Sequence, residues 1–253
     1  MRKEGRKEGR KAAEPGTASS CKWPKTIPNL TDRQIQIKDE WMKYWHEVLP
    51  KKYGIVEKFN HGFPVETLKA IEEGTTIQTL EIGAGLGEHI EYENLDHQKY
   101  TALELRENMG DVIRKRFPSV TVAIDDIQGK TQFEGSSFDR IIAVHVLEHL
   151  PDLPSAISEI YRLLKDGGTF TAVIPCEGGM AYGFARLISA NRMFKKKFNM
   201  PYGWLIKTEH LNQPFEIIEE LEKLFAVDRN KYFPLLVPFV FCNLCIGLSM
   251  TKK

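Results

Sequence analysis

A glycine-rich segment follows a run of strand-forming residues in the first half of the chain, and it limits the possible folds more than any other feature. The run Ile77–Ile82 has the composition of a strand, and Gly83, Gly85 and Gly87 follow it at alternate positions. Glycines let the backbone turn sharply and approach a bound molecule closely. A strand that leads through such a loop into a helix predicts a ligand site at the end of a parallel sheet.

Segments with strand and helix patterns alternate along the rest of the chain. They predict strands at 77–82, 100–104, 120–124, 138–144, 169–174, 226–233 and 243–251, and helices at 31–50, 64–73, 88–93, 106–117, 153–165 and 214–225. In the helix 153–165, Leu153, Ile157 and Ile160 share one face, and Gly167 occupies a position suited to a C-cap. Strands that alternate with helices of this length predict an α/β fold, with a parallel sheet covered on both faces.

The charge of the chain is balanced overall but uneven along its length. The net charge is +1, from 35 basic and 34 acidic residues, and residues 1–25 hold eight of the basic and three of the acidic ones. A dedicated nucleic-acid binder usually carries a large basic excess, so the composition argues against that function. Residues 1–26 combine Arg-Lys-Glu-Gly repeats with Ala, Pro and Ser, which predicts a disordered basic tail because little apolar surface can be buried.

The four cysteines are too few and too scattered for a disulfide framework. Cys242 and Cys245 form a Cys-x-x-Cys pair, but no second pair of ligands completes a zinc site, so no metal is expected. Free thiols favour a cytoplasmic protein, with peripheral attachment to a membrane as the alternative. The apolar run Phe233–Met250 contains two prolines and is shorter than the roughly 20 residues of a spanning helix, so it predicts a buried strand and its loop.

Acidic and histidine side chains stand at the ends of four predicted strands. Glu81 precedes the first glycine, Glu104 ends the second strand, Asp125–Ile127 follow the third, and His145 follows the fourth. Open α/β sheets bind ligands at the carboxyl ends of their parallel strands. Glu104 can accept both hydroxyls of a ribose, whereas Glu81 would repel a dinucleotide pyrophosphate and favours a cationic ligand.

Five segments carry these features in a fixed order over roughly residues 75–176. They are Glu81-x-Gly83-x-Gly85-x-Gly87, Glu104, Ser137-Phe138-Asp139, Leu147-Glu148-His149-Leu150 and Leu164-Lys165-Asp166-Gly167-Gly168. Together they resemble the class I S-adenosylmethionine-dependent methyltransferases, and most closely the small-molecule enzymes of ubiquinone and menaquinone biosynthesis. The resemblance implies a Rossmann-like, doubly wound, mostly parallel seven-stranded sheet with S-adenosyl-L-methionine as its cofactor.

The resemblance also implies which residues hold the cofactor. They are Glu81, Gly83, Ala84, Gly85, Glu104, Leu105, Asp126, Ile127 and His145. Glu81 and the loop backbone would hold the methionine part, and Glu104 the ribose hydroxyls. Leu105, Asp126 and Ile127 would meet the adenine, with Asp125 as the alternative acid. The segment after the third strand, Asp126–Phe133, departs from the Asp-Ala-x-x-Leu-Pro-Phe that is usual in the family.

His145 and His149 are the candidate catalytic residues. An imidazole titrates near neutral pH, so either histidine can remove a proton from a hydroxyl acceptor, while a structural role is the alternative for His149. Methyltransferases that act on nucleic-acid bases often carry Asn/Asp-Pro-Pro-Tyr after the fourth strand. This chain has Ala143–Val146 there, which argues against base methylation.

Aromatic and basic residues are interleaved in the segment 177–213, which predicts a lid over the acceptor. Its candidate acceptor contacts are Tyr182, Arg186, Arg192 and Trp204. Such a mixture suits an apolar acceptor with an anionic group, such as a lipid, and a purely structural lid with solvated cations is the alternative. The helical segment 27–74, with Ile35, Trp41, Trp45 and Val48 on one face, would form the opposite wall.

The sequence thus predicts three parts: a disordered basic tail (1–26), N-terminal helices that cap the substrate (27–74), and a methyltransferase domain (75–253) with the lid insertion 177–213. The predicted function is O- or C-methylation of a small-molecule or lipid-like acceptor. No nucleic-acid partner and no transmembrane segment are expected. A non-catalytic cofactor-binding subunit and a nicotinamide-dependent oxidoreductase are the alternatives, and the glycine spacing argues against the second.

Overall fold

The strand that ends in the glycine loop lies inside a seven-stranded sheet. The structure, a computed structural model, describes residues 22–52, 54–69, 72 and 74–253. The strands are β1 Ile77–Ile82, β2 Gln98–Glu104, β3 Thr121–Ile124, β4 Phe138–Val144, β5 Leu164–Pro175, β6 Phe225–Phe233 and β7 Cys245–Lys252. Their order is β3-β2-β1-β4-β5-β7-β6, and β7 runs antiparallel to both neighbours while the other pairs are parallel. The predicted Rossmann-like, mostly parallel sheet is confirmed.

The order of the strands indicates where on the sheet a ligand would be expected. The chain passes from β1 outward to β2 and β3, and then returns to β4 on the other side of β1. Open α/β sheets bind ligands where the strand order reverses in this way, beyond the carboxyl ends of the strands. The loops that follow β1, β2, β3, β4 and β5 all begin at this edge.

Eight α-helices are present in the described part of the chain. They are α1 Asp32–Lys52, α2 Gly54–Glu66, α3 Glu107–Arg116, α4 Leu153–Leu163, α5 Met180–Arg186, α6 Arg192–Phe198, α7 Gly203–Glu209 and α8 Pro214–Leu224. A π-helical turn, Leu187–Asn191, joins α5 to α6, so that residues 180–198 form one continuous helix. None of the helices among these residues combines the length and the apolar character needed to cross a membrane.

Apolar side chains cover the sheet on both faces. On one face, Ile157 of α4 and Leu221 of α8 pack with Leu80 and Ile82 of β1. On the other face, α3 covers β2 and β3, and α2 covers β5 and β7. Removing one large aliphatic side chain from water stabilises a fold by about 1.5–3 kcal/mol, so these two layers fix the edge where the loops converge.

The predicted helix 64–73 is wrong, because the second helix is α2 and ends at Glu66. Phe59 and Phe63 lie one turn apart on α2 and pack with Val173 of β5. Tertiary packing therefore decided the position of this helix. Pro64, which suggested a helix start, lies in its last turn, where the Pro64 carbonyl oxygen accepts a hydrogen bond from Arg140 Nη2 at 2.8 Å.

The predicted helix 88–93 is also wrong. The chain forms turns over residues 85–89 and a single 3-10 turn at Ile90–Tyr92 before β2 begins at Gln98. The left-handed φ angles of Gly85 and Gly87, 59° and 84°, turn the chain just before the segment 88–93. Within the segment, the buried carboxylate of Glu93 is held by Arg140 of β4.

Three smaller differences concern the ends and faces of helices. On α1, Ile37 and Trp41 are buried, whereas Ile35 is 47% exposed; the side chains of residues 45–52 lie outside the described ones. Helix α4 ends at Leu163 because Leu164 already pairs with β4 as the first residue of β5. Gly167, with φ 76°, therefore turns the chain within a strand and does not cap a helix.

Residues 1–21 of the predicted tail lie outside the described part of the chain. At the end of the predicted tail, Trp23 packs against the main apolar cluster. Lys25 Nζ lies 2.6 Å from Glu216 Oε2 and 2.9 Å from the Leu211 carbonyl oxygen, and the Lys25 backbone N–H donates to the Pro151 carbonyl oxygen. The chain is thus attached to the domain from about these residues onward.

Candidate active site

The glycine loop leaves β1 in a backbone conformation that glycine adopts without strain. Gly83, Gly85 and Gly87 have φ angles of 64°, 59° and 84°. A β-carbon at Gly83 would lie only 2.6 Å from Cγ2 of Val146, and the Gly83 N–H donates to the Leu103 carbonyl oxygen at 2.8 Å. The loop is therefore held tightly between the ends of β2 and β4, and larger residues are excluded at its first position.

Glu104 connects the end of β2 to the glycine loop. Its buried carboxylate accepts hydrogen bonds from the Gly85 N–H at 3.0 Å and from Arg106 Nε at 3.0 Å. The Arg106 side chain is half exposed. A carboxylate placed here, next to a backbone that leaves room for a ligand, has the geometry to accept ribose hydroxyls.

The residues expected around the adenine have different environments. Leu105 is 63% exposed and lies at the open edge of the crevice. Asp126 is exposed, and its Oδ1 accepts a hydrogen bond from the Gln128 N–H at 2.9 Å. Ile127 is buried in the main apolar cluster, so its side chain packs with the core. Asp125 is occupied by the backbone N–H groups of Asp126 and Gln132.

Glu81 is buried beneath the loop. Its Oε2 accepts a hydrogen bond from the Tyr100 hydroxyl at 2.9 Å. Burial raises the pKa of Glu81 to about 8, which outweighs the opposing effect of the Tyr100 hydrogen bond. At pH 7 the carboxyl is therefore mostly protonated, so it does not supply the negative charge for a cationic ligand that the sequence led us to expect.

A buried ion pair supports the turns that follow the loop. Arg140 on β4 binds Glu93 through two nitrogens, at 2.8 and 2.9 Å, and His89 Nε2 lies 2.9 Å from Glu93 Oε1. Burial acts to raise the pKa of Glu93, but the hydrogen bonds from His89 and Arg140 lower it to about 2. This pair anchors the turns of residues 85–93 to the sheet, in the place where a helix was predicted.

A second ion pair follows β4 on the other side of the crevice. His145 has a left-handed φ of 53°, and its Nδ1 lies 3.1 Å from Oε1 of the buried Glu148. Burial opposes both charges, but this contact lowers the pKa of Glu148 to about 2 and, with Cys245, holds the pKa of His145 well above its usual value. One buried anionic oxygen of Glu148, Oε2, thus has no hydrogen-bond partner among the described residues.

His149 and His210 continue this cluster toward the lid. His149 Nδ1 lies 2.6 Å from the Glu209 carbonyl oxygen, so Nδ1 carries the hydrogen and donates it. The imidazole rings of His149 and His210 meet edge to face, with 5.0 Å between their centroids. His210 Nδ1 contacts the carboxylate of Glu177. Glu177 also binds Arg186 Nη1 at 2.5 Å. Burial, followed by the charge of His210, lowers the pKa of His149, which makes its ring neutral at pH 7.

The structure brings two of the four predicted acceptor residues to this cluster. Tyr182 packs against the main apolar core, and the Arg186 guanidinium lies 5.8 Å from its ring. Arg192 is exposed on α6, and Trp204 packs beside Phe194, 6.2 Å between ring centroids. The positive charge of Arg186 is already paired with Glu177, so this arginine shapes the wall of the site.

Helices α1, α6 and α7 pack together around Trp41, and we call this unit the cap. The Trp41 ring centroid lies 5.1 Å from that of Phe194 and 5.6 Å from that of Tyr202. Lys38 Nζ on α1 lies 2.6 Å from Glu209 Oε1 on α7, and the Glu209 carbonyl oxygen binds His149. The N-terminal helix and the lid thus form one aromatic cluster that contacts the histidine cluster through α7.

Two residues of the site had a signal in the sequence that we did not use. Glu177 follows the end of β5 as Glu104 ends β2, so it stands at the same edge of the sheet. Glu148 lies within a recognised motif, between the two candidate histidines, but no role was given to it. The pairing of Glu93 with Arg140, 47 residues apart, had no local signal.

Sequence comparison relates the central part of the chain to known methyltransferases. Residues 80–172 match the family described as methyltransferase domain. The sterol 4-C-methyltransferase of Caenorhabditis elegans is 28% identical over 134 residues, which are 50% of this chain and 40% of that protein. The sterol 24-C-methyltransferase of Saccharomyces cerevisiae is 46% identical over 41 residues, 16% of this chain and 11% of that protein. The chain thus spans 40% or less of the length of these curated relatives.

Solved structures share the fold at low sequence identity. A carbon methyltransferase, CurJ, superposes with a TM-score of 0.60 at 17% identity, over 81% of this chain and 57% of that one. A possible histamine N-methyltransferase of Thermotoga maritima gives 0.59 at 18% identity, over 86% and 99%. The geranyl diphosphate C-methyltransferase of Streptomyces coelicolor, crystallised with S-adenosyl-L-homocysteine, gives 0.55 at 13% identity, over 78% and 76%.

Proposed function

We propose that the chain, whose residues 80–172 match a methyltransferase domain, transfers the methyl group of S-adenosylmethionine to a carbon atom of a lipid-like small molecule. The curated relatives are sterol C-methyltransferases, which supports carbon as the methylated atom and an apolar acceptor. They do not belong to the quinone-biosynthesis group that the motifs resemble, so we propose the class of acceptor and not its ring system.

The residues of the glycine loop fit S-adenosylmethionine. Val146 occupies the space that a β-carbon at Gly83 would need, so only glycine fits there. The Glu104 carboxylate accepts the Gly85 N–H, and ribose hydroxyls would be accepted beside it. Leu105 would cover the adenine from the open edge. When bound, the cofactor supplies an electrophilic methyl group on a sulfonium, and the protein must place the acceptor in line with it.

One observation carries the proposal: a neutral imidazole, His149, stands beside a buried anion, Glu148, at the end of the strand next to the glycine loop. Because His149 Nδ1 donates to the Glu209 carbonyl, Nε2 holds the lone pair. Methylation of an unsaturated carbon must be followed by loss of a proton, and His149 Nε2 would accept it. Against the effect of burial, the contacts of His145 with Cys245 and Glu148 hold its pKa well above the usual value, which favours the charged ring and makes His149 the better candidate for that base.

Glu148 would stabilise His149 after the proton has moved. Glu148 Oε1 lies 3.9 Å from His149 Nε2, an ion-pair distance once the imidazole is charged. In a buried site a carboxylate at this distance favours the charged ring more strongly than it would in water. The aromatic cap would exclude water from the site and cover an apolar acceptor.

The activity can be tested before the acceptor is identified. The protein is incubated with S-adenosylmethionine labelled in its methyl group and a total lipid extract, and label in the organic phase is counted. His149→Ala is expected to lower turnover by about 100-fold, because general-base catalysis contributes at least that much, while cofactor affinity stays the same. His97→Ala is the control, since His97 is exposed.

The pH dependence separates the two histidines. If neutral His149 is the base, turnover falls as the pH drops through its lowered pKa, below the ordinary value of 6.5, and stays level above it. A protein that binds the cofactor but labels no lipid would be a non-catalytic cofactor-binding subunit. Label recovered as a methyl ether would replace carbon by oxygen as the methylated atom.

A further inference from the structure

Two segments at the rim of the site expose a series of large apolar side chains. One is the continuous helix 180–198, and the other is the loop 234–242 that leads into β7. Their exposed apolar residues are Met180, Phe184, Leu187, Ile188, Leu235, Leu236, Val237, Phe239 and Phe241. Phe184 is 64% exposed and Phe239 63%. We call these nine side chains the apolar rim.

The two segments form a single surface. The start of the helix approaches the loop so closely that a β-carbon at Gly179 would lie 2.6 Å from the Val240 carbonyl oxygen. Helix α5 packs directly against the 3-10 turn Val240–Cys242. Contiguous apolar patches of this kind are uncommon on soluble monomers and mark a surface that docks onto something.

The loop presents its side chains from a fixed backbone. The buried Asn243 donates to the Val237 and Phe239 carbonyl oxygens, both at 2.9 Å, and its Oδ1 accepts from the Leu235 N–H at 2.9 Å. Three backbone groups of the loop are thus tied to one side chain. The exposure of these apolar residues is therefore built into the loop.

Charge identifies what the apolar rim would meet. The segments 178–208 and 233–251 contain six basic residues and no acidic one. The rest of the chain from residue 26 holds 21 basic and 31 acidic residues, so the cations are concentrated beside the apolar rim. Along the helix, the exposed apolar half is followed by exposed Arg192, Lys195, Lys196 and Lys197. Apolar side chains next to a cluster of cations match a bilayer with anionic headgroups.

The opposite side of the same helix faces the site. Tyr182 and Arg186 point inward, where Arg186 binds Glu177 of the histidine cluster. Phe184 and Ile188 point outward. A surface that rests on lipid through the outer face would therefore bring the histidine cluster within one helix of the bilayer.

We propose that the apolar rim and the adjoining cations dock the protein onto the surface of a membrane that contains anionic lipid. Docking of this kind buries the apolar side chains at the level of the headgroups, while the lysines bind headgroup phosphates. It does not depend on the acceptor proposed above, because binding to vesicles is measured without turnover.

Vesicle flotation tests this directly. The full chain is mixed with vesicles of phosphatidylcholine alone or with 30% phosphatidylserine. The protein is expected to float with the anionic vesicles at least tenfold more than with the neutral ones, and less as salt increases. The variant Phe184→Ser/Phe239→Ser should lose at least tenfold of that binding, and Phe184→Leu/Phe239→Leu should keep it.

Charge reversal provides a second, independent variant. Lys195→Glu/Lys196→Glu/Lys197→Glu should abolish the preference for anionic vesicles. The control changes the net charge by the same amount at exposed residues on the β2–β3 side of the sheet: Lys99→Glu/Lys115→Glu/Lys130→Glu. This variant should bind vesicles as the original chain does. Cofactor affinity and melting temperature confirm that each variant is folded.

Two results would overturn the proposal. One is that the original chain floats equally with neutral and anionic vesicles, and that the Phe184→Ser/Phe239→Ser variant floats as much as the original chain. The other is a concentration-dependent dimer that the Phe→Ser variant abolishes, with no vesicle binding, which would assign the face to a second copy of this chain. Vesicle binding together with absent methyl transfer would leave docking intact and overturn only the proposed function.

Discussion

The two sides of the crevice are held in place by different means. On the cofactor side, the loop is fixed by its own backbone and by Glu104, which accepts the Gly85 N–H. On the side where we propose that the acceptor binds, the groups in place are side chains: Glu148 with its histidines, and Glu177 with His210 and Arg186. The first side depends on φ angles and close contacts, and the second on charge and protonation.

The two sides therefore respond differently to substitution. Adding a side chain to the glycine loop should disrupt cofactor binding, because a β-carbon at Gly83 has no space and the φ angle there is unfavourable. A charged cluster fails when one partner is removed, because the remaining buried charge is left unpaired. Substitutions in the histidine cluster should therefore change turnover while the glycine loop and its affinity for the cofactor stay unchanged.

Gly83→Ala is expected to have the largest effect. A left-handed φ costs a non-glycine residue about 1–2 kcal/mol, and the new β-carbon would lie 2.6 Å from Val146. Cofactor affinity measured by calorimetry should fall by more than 100-fold. Gly167→Ala is the matched control, since φ is 76° there but no atom lies within 4 Å. It should lower the melting temperature slightly and leave affinity unchanged, and Gly83→Ala/Val146→Ala should regain part of the binding.

Glu104→Ala tests the side-chain contribution to the cofactor seat. Loss of charge-assisted hydrogen bonds to the ribose hydroxyls should weaken binding by about 1–3 kcal/mol, or roughly 5- to 160-fold. The control is Glu107→Ala, three residues away on α3, where the carboxylate is exposed and paired with Arg114. Unchanged affinity in Glu104→Ala would refute the ribose assignment.

A comparison of Arg186→Ala with Arg192→Ala tests whether Arg186 lines the acceptor site while Arg192 lies on the protein surface. Arg186→Ala removes one partner of the buried Glu177, and we expect the apparent KM for the acceptor to rise about tenfold, with cofactor affinity unchanged. Arg192→Ala, at an exposed position, should change this KM by less than twofold in detergent solution. Equal effects of the two substitutions would contradict the assignment of Arg186 to the site wall.

The substitution Glu81→Gln is expected to have a smaller effect, on the pH dependence of stability alone. Because burial raises its pKa to about 8 from the ordinary 4.5, the folded protein keeps a proton that the unfolded chain has released between these pH values. The free energy of unfolding therefore falls as the pH rises from 4.5 to 8, by at most a few kcal/mol. Thermal melts at pH 5.5 and 8.5 should show a shallower loss for Glu81→Gln. An unchanged slope would mean that Glu81 is ionised in the fold.

The sheet was largely predictable from the sequence, and the helices were less so. Strand β4 has the predicted bounds, because its apolar residues Ile141, Ile142 and Ala143, buried in the centre of the sheet, have a strong local pattern. Helix α2 was misplaced because packing of Phe59 and Phe63 on β5 outweighed the start signal at Pro64. The turns of residues 85–93 replaced a helix because a buried ion pair with Arg140, distant in sequence, holds them.

The candidate site divides in the same way. The sequence predicted that the glycine loop, Glu104 and the two histidines lie at one edge of the sheet, because each follows the end of a strand and parallel strands bring these ends together. The protonation states were not predicted, since they depend on burial and on partners from other elements. Burial raises the pKa of Glu81 against the opposing hydrogen bond from Tyr100, and burial, together with the nearby His210, lowers the pKa of His149.

By itself the sequence determined the class of fold and the edge of the sheet where the glycine loop lies, because alternating apolar patterns and glycine positions act over a few residues. Only the tertiary structure decided which histidine is neutral, which arginine is paired, and that a helix with its inner face in the site carries an exposed apolar outer face. These properties arise from contacts between residues far apart in the chain, where burial sets the cost of charge and of apolar exposure.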